Sequence, residues 1–406
     1  MIPVEEAISC ILGQVRRLPA ERVSLLGAVG RVLAEDLYAV GHLPPFDRSP
    51  LDGYALRAED TRGASRGSPC RLRVLGEVAA GEVPHLVVEA GTAVGVATGA
   101  PLPPGADAVV ALEETTPEPV GSEGWVQVGK ELSPGENVSR AGEDVRRGEL
   151  VLARGTVLGP AHVGLLAALG EEEVPVARRP EVAILSTGSE LVEVGEEPGE
   201  WQIRNSSAYA LAAAVARCGG VPRLLGVVPD SVEAIAGRLR AAAGADLILT
   251  TGGVSVGKSD LMPAVLGGLG AEVLFWRVAM KPGTPVLAAR WGKGLVVALS
   301  GNPAAALTSF DVLVKPALGK MGGRSTAWPT VPAVLAEDYR KTSRLRRYLQ
   351  ARLEANGGGY RAHLLAGQRP GVLSSMARAN GYVIIPEGAG PLRAGALVQA
   401  LVRESP

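Results

Sequence analysis

Apolar and polar positions change their period several times along the chain. Apolar residues recur at helical spacing from Val4 to Leu18, which predicts an amphipathic helix. A second, short helix is predicted over Gly30–Asp36. From residue 44 to about 147, short apolar runs alternate with turns rich in glycine and proline, a pattern typical of a β-rich module. The segment Leu150–Gly170 is then predicted to be partly helical.

From about residue 180, short apolar runs alternate with alanine-rich segments of helical period. The predicted strands are Val182–Ser186, Leu224–Val228, Asp246–Thr250, Glu272–Trp276, Val286–Ala289 and Leu295–Leu299. The predicted helices are Ser207–Cys218, Ser231–Ala243, Leu261–Leu269 and Pro303–Leu318. This alternation predicts a mostly parallel sheet with helices on both faces.

After Gly322-Gly323 the helical period disappears, and Trp328–Pro406 alternates like a small antiparallel β domain. The predicted fold is a multidomain α/β protein: a central doubly wound, mostly parallel sheet domain, a β-rich N-terminal module and a small C-terminal β domain. The predicted domains are 1–43 with 145–178 (helical and linker), 44–144 (β-rich), 179–325 (α/β) and 326–406 (C-terminal β).

The composition excludes several classes of protein. Of the 406 residues, 47% are hydrophobic and 20% are charged, as in globular proteins. The net charge of -1 provides no basic field for nucleic acid, so local groups would have to hold an anionic substrate. The three cysteines lack metal or disulfide spacing, which favours a reducing, cytoplasmic compartment. The acidic amino end predicts no signal peptide, and no segment is predicted to span a membrane.

The glycine-rich segment Thr250–Asp260 carries the strongest candidate chemistry. It follows a predicted strand and precedes a predicted helix, at the strand end where α/β sheets bind ligands. Its glycines allow backbone N–H groups to approach an anion closely. Gly252, Gly257, Lys258 and Ser259 also match the nucleotide-binding P-loop. That alternative is disfavoured because neither of the downstream strands, Glu272–Trp276 and Leu295–Leu299, ends in the acid that such sites use for Mg²⁺.

Other charged and polar residues also follow predicted strands. Lys281, in a corner with Pro282 and Gly283, can serve as a mobile positive charge for a phosphate. The segment Ser300–Pro303 is either a helix cap or a second anion contact. Three acids at such corners suit Mg²⁺, although Asp230 could equally be a helix cap: Glu190, Asp230 and Asp260.

Three loops of the β-rich region contain unusual combinations of residues. Pro44–Ala55 mixes prolines, charges and aromatic residues, and Ala97–Pro103 and Asn137–Asp144 are the other two. Such loops are candidates for binding or catalysis, since connecting segments more often carry function than packing.

Together these segments resemble the molybdopterin molybdenumtransferases, the MoeA family that includes the E domain of gephyrin. Seven motifs occur in the family's order along essentially the whole chain: PPFD-x-S-x-x-DGYA, TGAP-x-P-x-GAD, GED, STG-x-E-L, GGVS-x-G-x-x-D, KPG-x-P and GNP. The resemblance implies an enzyme that inserts molybdate into the dithiolene of adenylylated molybdopterin, with Mg²⁺-dependent release of AMP.

The resemblance also implies the site residues. The catalytic positions would be Asp52, Thr98, Asp144, Glu190, Asp230, Asp260 and Lys281, with Mg²⁺ bound by Glu190, Asp230 and Asp260. The substrate would be bound by Thr187, Gly188, Gly252, Gly253, Ser255, Gly257, Arg277, Pro282, Gly283, Ser300, Gly301, Asn302 and Pro303. The resemblance further implies a homodimer whose active site lies at the subunit interface, and transient contacts with molybdopterin adenylyltransferase and molybdoenzymes.

The chain departs from the family pattern at several positions. Ser189 stands where an acid is common, Ser300 where proline is common and Arg277 where lysine is common, and Lys258 lies at a variable position. Besides the P-loop enzymes, the alternatives are a molybdopterin adenylyltransferase and a non-catalytic scaffold. The long N-terminal modules and the KPG-x-P corner argue against the adenylyltransferase.

Overall fold

The computed structural model describes residues 1–118, 124–254, 261–326 and 330–403. Contacts within the chain divide it into two compact units. The main unit comprises Met1–Val23, Gly30–Ala34 and Pro175–Pro406, and the inserted unit comprises Ser24–Val29 and Glu35–Val174. The residue-level domain limits given above stay a prediction.

A six-stranded sheet forms the centre of the main unit. Its strands lie in the order Val221–Val228, Glu181–Thr187, Leu247–Thr251, Gly294–Leu299, Leu287–Trp291 and Glu272–Trp276. The first four strands are parallel, and the last two are joined to them by antiparallel pairing. The mostly parallel sheet is therefore confirmed, with an antiparallel pair at one side.

Helices cover both faces of this sheet because its central strands are apolar on both sides. Ile184 belongs to a core with the helices Val4–Gln14 and Ser206–Arg217. Its neighbour Leu185 points to the other face and packs with Val232–Arg240 and Met262–Gly268. Successive strand residues face opposite sides, so this arrangement confirms the doubly wound fold.

The predicted helix Pro303–Leu318 is one helical run with a change of winding. It comprises Pro303–Ser309, a π-helical turn Phe310–Val314 and a final helix Lys315–Met321. Pro316 has no backbone N–H to donate to the preceding turn, so the wider π turn lets the run continue past it.

The C-terminal part of the main unit is a closed barrel. Its strands are Arg346–Asn356, Gly359–Leu364, Thr330–Leu335, Leu397–Val402 and Gly381–Ile385, and pairing of the last with the first closes it. The predicted small C-terminal β domain is confirmed, with two features that its antiparallel pattern did not predict. Thr330–Leu335 pairs with Gly359–Leu364 in parallel, and a short helix spans Leu373–Arg378.

The inserted unit is built on a second six-stranded sheet. Its strands lie in the order Ala108–Ala111, Gly53–Leu56, Thr92–Val96, Ser65–Val78, Trp125–Lys130 and Thr115–Pro117. The β-rich prediction is confirmed, but the end of the predicted loop Pro44–Ala55 is a strand. Short strands at Leu37–Tyr38 and Leu150–Leu152 and the helix Pro160–Ala168 complete this unit.

The prediction of a short helix over Gly30–Asp36 is wrong. Leu33 forms a β-bridge with Val176, and Ala34 N–H donates to the carbonyl of Pro175 at 2.9 Å. Pairing with this later segment satisfies the backbone groups in an extended conformation, which overrides the local helical pattern. None of the described helices is both long enough and apolar enough to cross a membrane.

Candidate functional site

Four segments with candidate residues leave the central sheet at the same edge. Thr187 is paired with Val228, and Thr251 is paired with both Ser186 and Leu299. These parallel strands therefore end in register, and their continuations start side by side. The continuations carry Gly188 and Glu190, Asp230, Gly252 and Gly253, and Ser300 to Pro303.

The glycines after Thr251 are required by close approach of backbones. Gly252 has φ +93°, and a Cβ atom there would overlap the carbonyl oxygen of Thr187. Gly253 has φ +61°, another conformation that favours glycine. The Gly252 N–H donates to the Leu299 carbonyl at 3.2 Å. The predicted site residues Ser255, Gly257 and Asp260, and also Lys258, lie outside the described residues.

A buried polar cluster ties this edge to the following helix. Ser186 Oγ donates to Asn205 Oδ1 at 2.9 Å and lies 3.0 Å from Thr251 Oγ1. Asn205 Oδ1 also accepts from the Ala208 N–H at 3.3 Å, which caps the helix Ser206–Arg217. The sequence did not single out the Asn205 side chain or the Ser186 hydroxyl. An Asn-Ser-Ser run before an alanine-rich helix is the capping signal that could have found Asn205.

Thr187 and Thr250 point to the opposite face of the sheet from Ser186. Thr187 is 4% exposed and Thr250 is fully buried, and neither hydroxyl has a hydrogen-bond partner within the described part of the chain. Buried hydroxyls are normally paired. Thr187 Oγ1 lies under Gly253, 3.3 Å from where a Cβ would be. The Thr187 hydroxyl is therefore a polar group that ordered water or an oxyanion can bind beside the glycine corner.

Glu190 and Asp230 follow two adjacent strands and are both exposed. The Glu190 carboxylate folds back over Gly188, since a Cβ there would lie 2.6 Å from Glu190 Oε2. The capping alternative for Asp230 is wrong: Ser231 is the cap, and its Oγ accepts from the Ala234 N–H at 3.3 Å. A cavity of about 510 Å³ separates the two loops, lined by Gly188, Ser189, Glu193 and Pro229 among others.

The donor chemistry at these loops fits a small hard cation. No group of three or more His, Cys, Asp or Glu side chains close enough to share a metal occurs among the residues described. The third predicted ligand, Asp260, falls outside them. Mg²⁺ commonly uses one or two carboxylates together with substrate oxygens and water, so Glu190 and Asp230 fit Mg²⁺ in type and number.

Two basic residues occupy the connection that leaves the same edge beside the antiparallel pair. Trp276 is paired with Leu287, which is paired with Ala298, so the connection starts at the level of the other strand ends. Arg277 follows immediately and has φ +75°, a left-handed conformation that is rare for a residue with a Cβ. Lys281, further along this connection, is exposed, and Met280–Lys281 pairs with the barrel strand at Arg346.

The corner after Lys281 is held against the helix Pro303–Ser309. Gly283 has φ +96°, and a Cβ there would overlap Ser309 Oγ. Gly283 therefore allows the connection to lie close to this helix, where a side chain would not fit.

The helix that follows Ser300 and Gly301 begins where the sequence predicts its cap. Asn302 is the N-cap residue and Pro303 opens the helix, but the Asn302 side chain makes no capping bond. The N–H groups of Ala304 and Ala305 donate instead to the carbonyl of Pro370, at 3.0 and 3.3 Å. These two donors are satisfied within the protein, which weakens the alternative that this helix end binds an anion.

The inserted unit brings its three unusual loops together. The Thr98 N–H and hydroxyl both donate to Asp52 Oδ1, at 2.7 and 3.1 Å. Ser49 N–H donates to the Ala100 carbonyl at 2.9 Å, which joins the first two loops a second time. The pair of Asp52 and Thr98 is exposed, so both are available to a ligand.

The third loop is attached to the first through Asp47. The Arg140 guanidinium lies 2.6 Å from the Asp47 carboxylate, and the Ala141 N–H donates to it at 2.8 Å. The backbone N–H and then the guanidinium lower the pKa of Asp47. Asp144, exposed at the end of this loop, donates its N–H to the Leu43 carbonyl at 3.0 Å.

The near-zero net charge conceals a strong separation of charge between the units. The inserted unit contains 22 acidic and 11 basic residues, whereas the main unit contains 20 acidic and 30 basic residues. The main unit therefore has an excess of positive charge that the net charge of the chain does not show, and this excess can attract an anionic substrate over a distance.

Comparison with known proteins identifies the family. Profiles described as the MoeA N-terminal region (domain I and II), a probable molybdopterin binding domain and the MoeA C-terminal region (domain IV) match residues 2–170, 183–320 and 332–402. The chain is similar to the molybdopterin molybdenumtransferase of Bacillus subtilis strain 168, with 37% identity over 99% of this chain and 94% of that protein. The corresponding protein of Staphylococcus aureus strain Mu50 is 36% identical over 100% and 96%.

Solved structures match over the same length. A crystal structure of the molybdopterin biosynthesis moeA protein from Pyrococcus horikoshii OT3 has a TM-score of 0.82 and 35% identity, covering 99% of this chain and all of that chain. A second structure from the same species has a TM-score of 0.85 and 34% identity, with complete coverage of both chains. By its full-length similarity and the order of its domains, the chain belongs to the MoeA family.

Proposed function

We propose that this protein is a molybdopterin molybdenumtransferase in molybdenum cofactor biosynthesis. It inserts molybdate into the dithiolene of adenylylated molybdopterin and releases AMP in a Mg²⁺-dependent reaction. The carrying observation is the alignment of two acids, a glycine corner and a basic connection at one edge of the central sheet. Full-length relatives named for this activity support the proposal.

The main unit would bind the phosphate-bearing substrate at this edge. The left-handed conformations of Gly252 and Gly253 would let the backbone approach a phosphate closely, and Lys281 and Arg277 would contribute positive charge. Glu190 and Asp230, with Asp260, would hold Mg²⁺. The bound ion would neutralise charge on the phosphate oxygens as the AMP leaves.

The acids and Thr98 of the inserted unit are proposed to complete the site of a second subunit in a homodimer. Asp52 and Thr98 form an exposed, hydrogen-bonded pair that nothing in the core of the inserted unit requires. The opposite charges of the two units favour such an association. The cytoplasm is proposed as the compartment, in keeping with three free cysteines.

The central test measures AMP release from adenylylated molybdopterin in the presence of molybdate and Mg²⁺. Glu190→Gln should lower the rate by a factor of about 100 or more, since it removes a charge expected to bind the ion. Glu200 is also exposed and lies in the same connection between the strand Glu181–Thr187 and the helix Ser206–Arg217. Glu200→Gln is therefore the matched control and should keep full activity. Lys258→Ala should keep molybdenum transfer, whereas a P-loop enzyme would lose ATP hydrolysis. A wild-type rate for Glu190→Gln would contradict the assignment.

The shared site is tested by mixing two inactive variants. Asp52→Ala and Glu190→Ala damage different units, so a mixed dimer would contain one site with both residues intact. Random exchange of subunits should then restore about a quarter of the wild-type activity. If each site were built from a single chain, the mixture would stay as inactive as its components.

A further inference from the structure

A second cavity, of about 590 Å³, lies at the opposite edge of the central sheet from the proposed active site. It opens where the strands Leu247–Thr251 and Gly294–Leu299 begin. Five residues of extended chain separate the two edges by about 17 Å, so the two places are distinct. Its polar lining is Gln14, Arg16, Arg178, Asp246 and Lys293.

The lining carries excess positive charge. Both oxygens of the single lining acid are occupied: Asp246 Oδ1 accepts from Arg178 at 2.6 Å, and Oδ2 accepts from the Glu181 N–H at 2.8 Å. Arg16 and Lys293 are exposed, and neither forms an ion pair with any residue that the structure describes. The three basic residues and the one carboxylate of the lining give the cavity wall a net charge of +2.

Helix dipoles oppose this charge but do not cancel it. Three helices end at this edge, each with about half a negative charge at its carboxyl end: Val4–Gln14, Val232–Arg240 and Lys315–Met321. Each end already has basic compensation from other residues. Lys320 Nζ donates to the Leu12 carbonyl at 2.7 Å, and Arg238 and Arg240 lie in the last turn of the second helix. Arg16 and Lys293 therefore remain for a ligand.

We propose that this cavity binds a small phosphate dianion, either inorganic phosphate or the phosphate group of a small metabolite. Its volume lies in the range of ligand sites. The planar Arg16 guanidinium can donate two parallel hydrogen bonds to phosphate oxygens, and the Lys293 ammonium adds a compact positive charge. Val15, Leu18 and Leu295 form an apolar floor that gives room for the carbon part of an organic phosphate.

The rate of acylation of each lysine, measured by mass spectrometry, tests ligand binding at Lys293 independently of catalysis. The chain has only seven lysines, so Lys293 can be followed beside Lys130 and Lys341 as internal references. Millimolar ribose 5-phosphate or inorganic phosphate should slow acylation of Lys293 severalfold and leave the references unchanged, whereas neutral ribose should have no effect. Stronger protection by ribose 5-phosphate would identify the organic source, and equal protection the inorganic one.

Variants distinguish specific binding in this cavity from nonspecific attraction of anions by positive charge. Arg16→Ala should weaken protection of Lys293 about tenfold, as expected for loss of one charge-assisted contact. Ala243→Tyr fills the cavity without changing its charge and should abolish protection. The exposed barrel residue Arg361 serves as the control, and Arg361→Ala should bind like wild type. Protection by ribose, absence of protection by both phosphates, or full protection in Ala243→Tyr would each overturn the proposal.

Discussion

Thr98 donates both its backbone N–H and its hydroxyl to the same carboxylate oxygen of Asp52, at 2.7 and 3.1 Å. The two residues lie 46 positions apart, on loops that the sequence singled out separately. The contact fixes where the Asp52 carboxylate points, and its other oxygen has no hydrogen bond or ion pair within the described part of the chain. An exposed pair of this kind contributes little to folding, so its geometry is better explained by presentation of the carboxylate to a ligand.

The first prediction separates the two donors of Thr98. Thr98→Val removes the hydroxyl but keeps the N–H, and should lower the rate of AMP release about tenfold through looser positioning of Asp52. Thr98→Ser keeps both donors and is the matched control, expected within about twofold of wild type. Both variants should unfold within about 1 kcal/mol of wild type in urea, since the pair is exposed. Equal rates for Thr98→Val and wild type would show that the hydroxyl has no part in positioning.

Arg277 offers a prediction in which stability and activity change in opposite directions. Its φ of +75° costs about 1–2 kcal/mol for a residue with a Cβ. The Arg277 N–H donates to the Val286 carbonyl at 2.8 Å, and the Ile2 N–H donates to its carbonyl at 3.0 Å, so the backbone stays in this conformation. Arg277→Gly removes this strain. The glycine also makes the unfolded chain more flexible, which lowers the unfolding free energy by about 0.5–1 kcal/mol. The net expectation is a gain of about 0.5–1 kcal/mol.

The same substitution should lower turnover, because it removes a cation at the proposed phosphate edge. Arg277→Lys keeps the charge and the strained backbone, so it should retain most of the activity and none of the added stability. Urea unfolding and the AMP-release assay, run on both variants, read the two effects separately. A glycine variant that is less stable than wild type would show that the arginine side chain, rather than strain, determines stability at this position.

Gly252 should tolerate no side chain. Gly252→Ala combines φ +93° with overlap against the Thr187 carbonyl, and should cost at least about 2 kcal/mol of unfolding free energy. Gly268→Ala, in the helix Met262–Gly268, meets no atom within 4 Å and should be neutral or stabilising by up to about 1 kcal/mol. Thermal unfolding of the two variants in parallel checks the contrast. Equal melting temperatures would mean that the glycine corner can shift to make room.

These residues show how far the sequence could predict the site. The strand ends and their order along the sheet follow from apolar runs between turns, because buried parallel strands leave a continuous apolar pattern. The pairing of Asp52 with Thr98 and the link of Ser186 to Asn205 did not follow, because they join residues distant in sequence. The extended course of Leu33 was missed for the same reason, since its partner Val176 lies 143 positions later. Charge separation was hidden because the net charge averages two oppositely charged units.

A buried ion pair connects the barrel to the helices of the main unit. Asp311 is 1% exposed, its Oδ2 lies 2.8 Å from Arg403 Nε, and it accepts a hydrogen bond from the Tyr382 hydroxyl at 2.8 Å. Asp311→Ala removes the carboxylate of this buried pair and should cost about 3–5 kcal/mol. The double variant Asp311→Leu with Arg403→Met replaces both charges by apolar groups and should recover most of that loss. Urea unfolding of the single and double variants measures the difference, and additive losses would argue against a desolvated pair.

The same interface should make the protein sensitive to alkaline pH through Tyr348. Burial raises the pKa of Tyr348 from 10.0 to about 12, and its ring packs edge-on to Tyr382 with centroids 6.4 Å apart. Below pH 10 the phenol is protonated in both folded and unfolded chains, so its contribution to stability is fully present. Between about pH 10 and 12 only the unfolded chain loses the proton, which lowers the unfolding free energy by up to roughly 2–3 kcal/mol.

Tyr348→Phe isolates this contribution, because phenylalanine keeps the ring and cannot titrate. Its unfolding free energy should fall less steeply than that of wild type between pH 10 and pH 11, by about 1.4 kcal/mol per pH unit at most. Tyr382 remains in both proteins, and burial raises its pKa as well, so its own alkaline loss is common to the two curves. Urea unfolding at pH 9, 10 and 11 gives the comparison. Parallel curves for the two proteins would mean that the Tyr348 phenol titrates alike in the folded and unfolded chains, against the effect expected from its burial.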